Sequence, residues 1–242
     1  MTLQLSGQSE QQYRGFHGAV VDQMPLLLSG RNEQGEVVDV PRSPASFAFI
    51  IERRETAPED VRREYTYHSF FTGDAVIRGV NGDLVSMLDS PILRTVTPES
   101  TLVDGALRLS TAQWKELQAQ RDGTLYLSAD EVEELHSRGY VKKDGVWTPE
   151  NTSIARVWEH LSRARDLKGY VEMVADATPD CERIMRVYLY QTELMAPILR
   201  PWVAGRFSSS SVAGGTDYLN DISGRLIGIA PELSRAGKSR TK

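Results

Sequence analysis

Cysteine is nearly absent from this 242-residue chain, where Cys181 stands alone. One thiol allows no intrachain disulfide and no thiolate cluster around a metal. Histidine is scarce too. His17, His68, His136 and His160 fall in four separate segments. No H-x-x-x-H or H-E-x-x-H spacing occurs, which removes the usual zinc signatures. Long apolar runs are also missing. The clusters MPLLL and FAFII fall far short of the about 20 residues that span a bilayer. The stretch MTLQLSGQSEQQYRGFHG lacks the basic start and apolar run of a secretory signal. The chain is therefore expected to be soluble and cytoplasmic, with no membrane partner. Basic charge is in deficit, since 28 Lys and Arg face 33 Asp and Glu, a net charge of -5. That balance disfavours a protein that grips duplex nucleic acid chiefly through its phosphates.

Nucleotide and nucleophile motifs are absent as well. Gly237-Lys238-Ser239 has the end of a Walker loop, but Glu232 occupies its first glycine position. VAGGTDY does not fit G-x-G-x-x-G. Neither GRFSS nor ISGRL supplies the G-x-S-x-G of a serine elbow. No metal and no other cofactor is expected.

What is present marks an ordinary globular chain, 40% hydrophobic and 25% charged. Its length suits one large domain or two small ones. Two strand-like runs flank Asn81-Gly82, a pair that tolerates the positive φ angles of a type I′ hairpin turn. Asp104-Gly105 and Asp144-Gly145 mark two further hairpins. Ser110-x-x-Gln113 and Ser128-x-x-Glu131 fit the helix capping box, opening helices over 111–120 and 129–138. Gly139 sits where a C-terminal glycine cap belongs. Ser43-Pro44 reads as a helix start whose inward face carries Phe47, Ile50, Ile51 and Arg54. The paired arginines of residues 52–64 read as a solvated helix face. A second helical piece begins at Pro58, and the longest helix runs from Thr148 or Asn151 to Gly169. AVVDQMPLLLSG, EVVDV, YVEMVADA, RIMRVYLYQTE and GRLIGIA read as strands. Two prolines, Pro197 and Pro201, make a regular helix through ELMAPILRPWVAG untenable.

This irregular interleaving implies an α+β fold with a mainly antiparallel or mixed sheet, several hairpins and about four to five helices. Residues 1–235 read as a single domain, with sub-lobes 13–120 and 124–232 as the alternative. Residues 236–242 read as a disordered basic tail.

Function follows mostly by elimination. The leading reading is an accessory or interaction protein that acts by binding. The sequence names no partner; a protein and a second copy of the chain are the classes it leaves open, with nucleic acid disfavoured. The alternative is an enzyme with a polar site in GRFSSSSVAGGTDYLND. Candidate binding residues there and just beyond are Arg206, Ser210, Ser211, Thr216, Asp217 and Arg225, with an arginine stabilising an anion. A third reading is weak nucleic-acid binding through Arg156, Arg163, Arg165 and Lys168, which carry a local positive excess. Catalytic residues cannot be assigned, because no general base stands beside the serines.

Overall fold

The computed structural model describes residues 12–32 and 34–231. The tail expected at 236–242 and the polar start lie outside them. The class is α+β, with seven α-helices among the described residues rather than four to five. The chain runs β1 (Tyr13–His17), α1 (Val20–Ser29), β2 (Ser43–Pro44), α2 (Phe47–Thr56), α3 (Glu59–Tyr67), β3 (Phe70–Arg78) and β4 (Leu84–Met87). It continues with β5 (Leu102–Val103), β6 (Ala106–Arg108), α4 (Thr111–Ala119), β7 (Thr124–Leu127), α5 (Ala129–Glu133), β8 (Tyr140–Lys143) and β9 (Val146–Pro149). Then come α6 (Thr152–Leu161), α7 (Lys168–Ala177), β10 (Arg183–Ile184), β11 (Val187–Leu189), β12 (Ile198–Ala204), β13 (Ala213–Gly215) and β14 (Arg225–Ile229).

Eleven strands form one mixed sheet with the central order β1-β14-β3-β12-β13-β11, and β10-β8-β9 form a smaller one. β3 and β12 lie at its middle and are buried along nearly their whole length. Alternate residues of β3 enter opposite cores, because strand side chains alternate faces. Phe70 and Val76 pack with Trp158, Tyr170 and Trp202 on one face. Phe71, Ala75 and Ile77 pack with Val20, Met24 and Trp114 on the other. Pro201 sits inside β12, where a proline removes a ladder donor. The register shifts between Pro201 and Val203, and that bulge absorbs the loss.

Several local expectations change. AVVDQMPLLLSG is the helix α1, not a strand, despite Pro25 within it. Its Val20, Val21, Met24 and Leu27 share one buried face, and Gly30 closes it with φ 65°. EVVDV forms only an isolated bridge, Val37 to Arg31. Ser43-Pro44 is the strand β2, and Ser46 caps the helix that follows. YVEMVADA belongs to α7, with Tyr170, Val171 and Val174 on its buried side. The helix from Asn151 ends at Leu161, well before Gly169, and the helix from Ser128 ends at Glu133. Gly139 is not a cap. A Cβ there would lie 2.3 Å from the carbonyl oxygen of Ile184, so it is a close-approach glycine.

The hairpins form, but the turn types are redistributed. Asp104 and Gly105 both take positive φ, as do Asp144 and Gly145, the type I′ signature. Around Asn81-Gly82 only Gly82 does. That connection is a wider loop closed by Gly79 N–H donating to the Asp83 carbonyl. Both capping boxes are complete.

Candidate functional site

The six candidate binding residues separate into three places. Ser210 and Ser211 are buried, not open beside a pocket. The serine run is a short 3-10 turn, Phe207–Ser209, followed by two residues at positive φ, 63° and 51°. Ser211 Oγ lies 2.6 Å from Tyr170 Oη and accepts from Arg54 Nη1 at 3.2 Å. Ser210 Oγ donates to Cys181 Sγ at 3.3 Å. Each serine hydroxyl is thus committed within the protein.

Arg54 organises this buried network. All five of its guanidinium N–H groups are used. Nε donates to the Tyr65 carbonyl at 2.8 Å, and Nη1 to Tyr170 Oη at 2.7 Å and to Ser211. Nη2 donates to the carbonyls of His68 and Ala204, each at 3.3 Å. Arg54 is fully buried, on the inward face with Phe47, Ile50 and Ile51 and not on the solvated face expected for the arginine pairs of 52–64, and it contacts the Phe207 ring at 5.2 Å.

Thr216 and Asp217 lie at the other end of β12, over Arg200. Arg200 is 1% exposed, yet it is the only charge in the apolar run of its strand. Its Nη1 donates to the carbonyls of Thr216 and Asp217 at 3.0 and 3.1 Å, and its Nη2 to the Asp104 carbonyl at 2.6 Å. The guanidinium is stacked between Tyr190, 4.3 Å from the ring centre, and Tyr218, at 4.9 Å. Such stacking suits a planar, weakly hydrated cation. Burial holds the Arg200 pKa below its ordinary value, with the nearby tyrosines and carboxylates opposing.

A surface is built on this arginine. Tyr218 is 48% exposed, and its ring packs on the type I′ turn. A Cβ on Gly105 would fall 2.6 Å from that ring. Tyr190 Oη donates to Asp104 Oδ2 at 3.4 Å. Burial raises the Asp217 carboxyl above the usual range and Asp221 adds to the rise, against the pull of Arg200. Two tyrosine faces and the carboxylates of Asp104 and Asp217 therefore frame one patch. Its chemistry is aromatic and acceptor-rich. Thr216 and Asp217 were legible as candidates; Tyr190, Arg200, Asp104 and Tyr218 were not. The signal for Arg200 is a lone charge inside the strand-length apolar run ILRPWVA.

Arg206 and Arg225 lie in a third place, beyond the other end of β12, with His17 and His68. Three of the four nucleic-acid candidates take acidic partners. Arg156 pairs with Glu131, Arg163 with Asp89 at 2.6 Å, and Arg165 with Glu52 at 3.0 Å. Lys168 begins α7. Carboxylates thus interrupt the basic face that those residues were expected to form. Two open clefts, of about 730 and 700 Å3, include none of the candidate residues. Among the described residues no group of three His, Cys, Asp or Glu is placed to hold a metal. No described helix is long and apolar enough to cross a membrane.

No protein-family model matches the chain, and neither does any curated protein. A solved structure described as "Accommodation of massive sequence variation in Nanoarchaeota by the C-type lectin fold" is similar in architecture. The TM-score is 0.59 at 10% identity, over 90% of this chain and 96% of that one. At that identity the likeness shows the fold alone, an architecture similar to that of this C-type lectin fold structure.

Proposed function

We propose that the chain is a binding protein whose contact surface is the Thr216–Asn220 segment, backed by Tyr190 and Arg200. The observation that carries this reading is how the segment is tethered. Arg200 reaches main-chain oxygens of Thr216 and Asp217, and Leu219 N–H donates to the Gly105 carbonyl at 2.7 Å. The backbone is fixed from beneath, so Thr216, Asp217 and Asn220 need not hold the loop, while Leu219 anchors it in the core and Tyr218 stacks on Arg200. The similar structure is described as a fold that accommodates massive sequence variation, and backbone tethering is a physical means to that end. Tyrosine supplies large contact area at low entropic cost. Asp104, Asp217 and the tyrosine hydroxyls favour a protein partner that presents basic or donor-rich groups.

The test is a panel of immobilised proteins and peptides graded in charge. The wild-type chain is expected to be retained on a basic member, and Tyr218→Ala to lose at least tenfold in affinity while staying folded, with its melting temperature lowered only by the lost contact with Arg200. Equal retention of Tyr218→Ala and wild type would remove this surface from the binding role.

A further inference from the structure

Four adjacent strands of the main sheet, in the order β1-β14-β3-β12, gather basic residues at one end: His17 and Arg225 within β1 and β14, His68 just before β3 and Arg206 just after β12. His17 lies directly opposite Arg225. Ala204 lies opposite Phe70, where the ladder ends, with His68 two residues before Phe70 and Arg206 two residues after Ala204. Tyr13, Ile227, Phe70 and Ala204 all pack into the same core. His17 and Arg225 stand an even number of positions from Tyr13 and Ile227, so strand alternation turns them to that same face, while His68 and Arg206, just past the ends of β3 and β12, lie close enough for Arg225 and Arg206 to act on the His68 imidazole. Arg206 N–H donates to Ser69 Oγ at 3.2 Å, which holds its loop against the start of β3.

The arrangement is unfavourable on its own. Like charges opposite each other across a ladder are destabilising. Six other arginines, at positions 14, 42, 156, 163, 165 and 183, pair with carboxylates. Among the described residues no carboxylate pairs with Arg206 or Arg225. Glu64, 3.3 Å from His68 Nε2, is the acid in contact with the group. His17 Nε2 is buried without a hydrogen-bond partner. Both imidazoles are held below their ordinary pKa. Burial is the first cause in each, followed by Arg225. Yet the backbone here is tightly drawn and cannot relax the crowding. Gly18 N–H donates to the Gly224 carbonyl at 3.0 Å, and a Cβ on Gly224 would fall 2.3 Å from the Phe71 ring.

We propose that this end of the sheet binds a multiply charged tetrahedral oxyanion, a phosphate or sulfate group, held by Arg206, Arg225, His17 and His68. Two permanent charges attract the anion, and bound charge stabilises the protonated imidazoles. Guanidinium groups match the geometry of tetrahedral oxyanions. The site stands apart from the Tyr190–Tyr218 surface, and each can fail without the other.

Histidine NMR tests it on the full chain, since His136 and His160 serve as internal controls. Inorganic phosphate, sulfate and O-phosphoserine are titrated against chloride at matched ionic strength. The expected result is saturable shifts of His17 and His68 with raised pKa, and none at His136 or His160. Arg206→Gln and Arg225→Gln, both exposed enough to fold, are each expected to weaken binding at least tenfold. Tighter binding of O-phosphoserine than of phosphate would assign the anion to an ester on a larger ligand, and the reverse to a free ion. Either ranking supports the site. Shifts equalled by chloride, or unchanged in both variants, would overturn it.

Discussion

Arg54 has no carboxylate beside it among the described residues, yet it is fully buried. A buried cation is tolerable when every donor is satisfied, and here five acceptors surround five N–H groups. Those acceptors belong to α3 and the turn after it, α7, β12 and the serine turn. One side chain from α2 therefore ties four segments together. Arg54→Met would leave several buried acceptors unpaired, at 1–3 kcal/mol for each buried group so stranded. A loss of at least about 3 kcal/mol is expected from urea unfolding. Ser211→Ala removes one bond to a charged group and should cost about 1.5–3 kcal/mol, with ligand retention intact. If Ser211→Ala instead altered retention at unchanged stability, the serine would return to the contact surface.

At the scale of elements, two type I′ turns offer a matched comparison. Gly105 and Gly145 take φ of 69° and 82°, where a side chain adds about 1 kcal/mol or more of strain. Nothing lies within 4 Å of a Cβ on Gly145, whereas a Cβ on Gly105 meets the Tyr218 ring. Gly145→Ala should therefore cost backbone strain alone. Gly105→Ala should cost more and also displace Tyr218, lowering ligand retention. Equal effects of the two on retention would separate Tyr218 from the contact surface. These turns, like the capping boxes at Ser110 and Ser128, were legible because their chemistry is confined to four adjacent residues. α1 and α7 were not legible. Their valines, leucines and tyrosine suit a strand as well as a helix, and tertiary burial on one helical face decides. The candidate site divides along the same line. Thr216 and Asp217 stand in a recognisable turn-rich stretch. Asp104 and Tyr190 reach them only because β6 and β13 pair with opposite ends of one edge of β12, and β11 lies beside β13, pairings no local pattern encodes.

The whole molecule carries opposed titrations that couple its helices to its sheet. Asp74, fully buried in β3, accepts from Phe47 N–H at 2.6 Å and from Asp89 N–H at 2.8 Å. Burial pushes its pKa up to about 6. The two amides and Arg163 oppose that rise, and Asp89 adds to it. His160 in α6 is pushed down to about 4, chiefly by burial and also by Arg163, with Ser86 opposing. For Asp74 the folded value exceeds the unfolded 3.8, so its contribution is full below about pH 4 and lost as pH rises through 6. That difference amounts to about 3 kcal/mol between the two limits. For His160 the folded value lies under the unfolded 6.5, so its contribution is full above pH 6.5 and lost as pH falls toward 4. The two slopes oppose each other over one interval, so the contributions of this pair largely cancel there. His160→Gln would leave the Asp74 slope, giving a protein that grows more stable on acidification from pH 6.5 to 4. Asp74→Asn would leave the His160 slope and reverse the sign, on a baseline already lowered because an amide cannot accept at both atoms. Urea midpoints measured at half-unit steps of pH read both slopes. Parallel profiles in the two variants would show that these groups do not govern acid stability, and would leave the pairs of Asp39 and Glu150, whose carboxyls lie below their ordinary values, to set where the fold fails in acid.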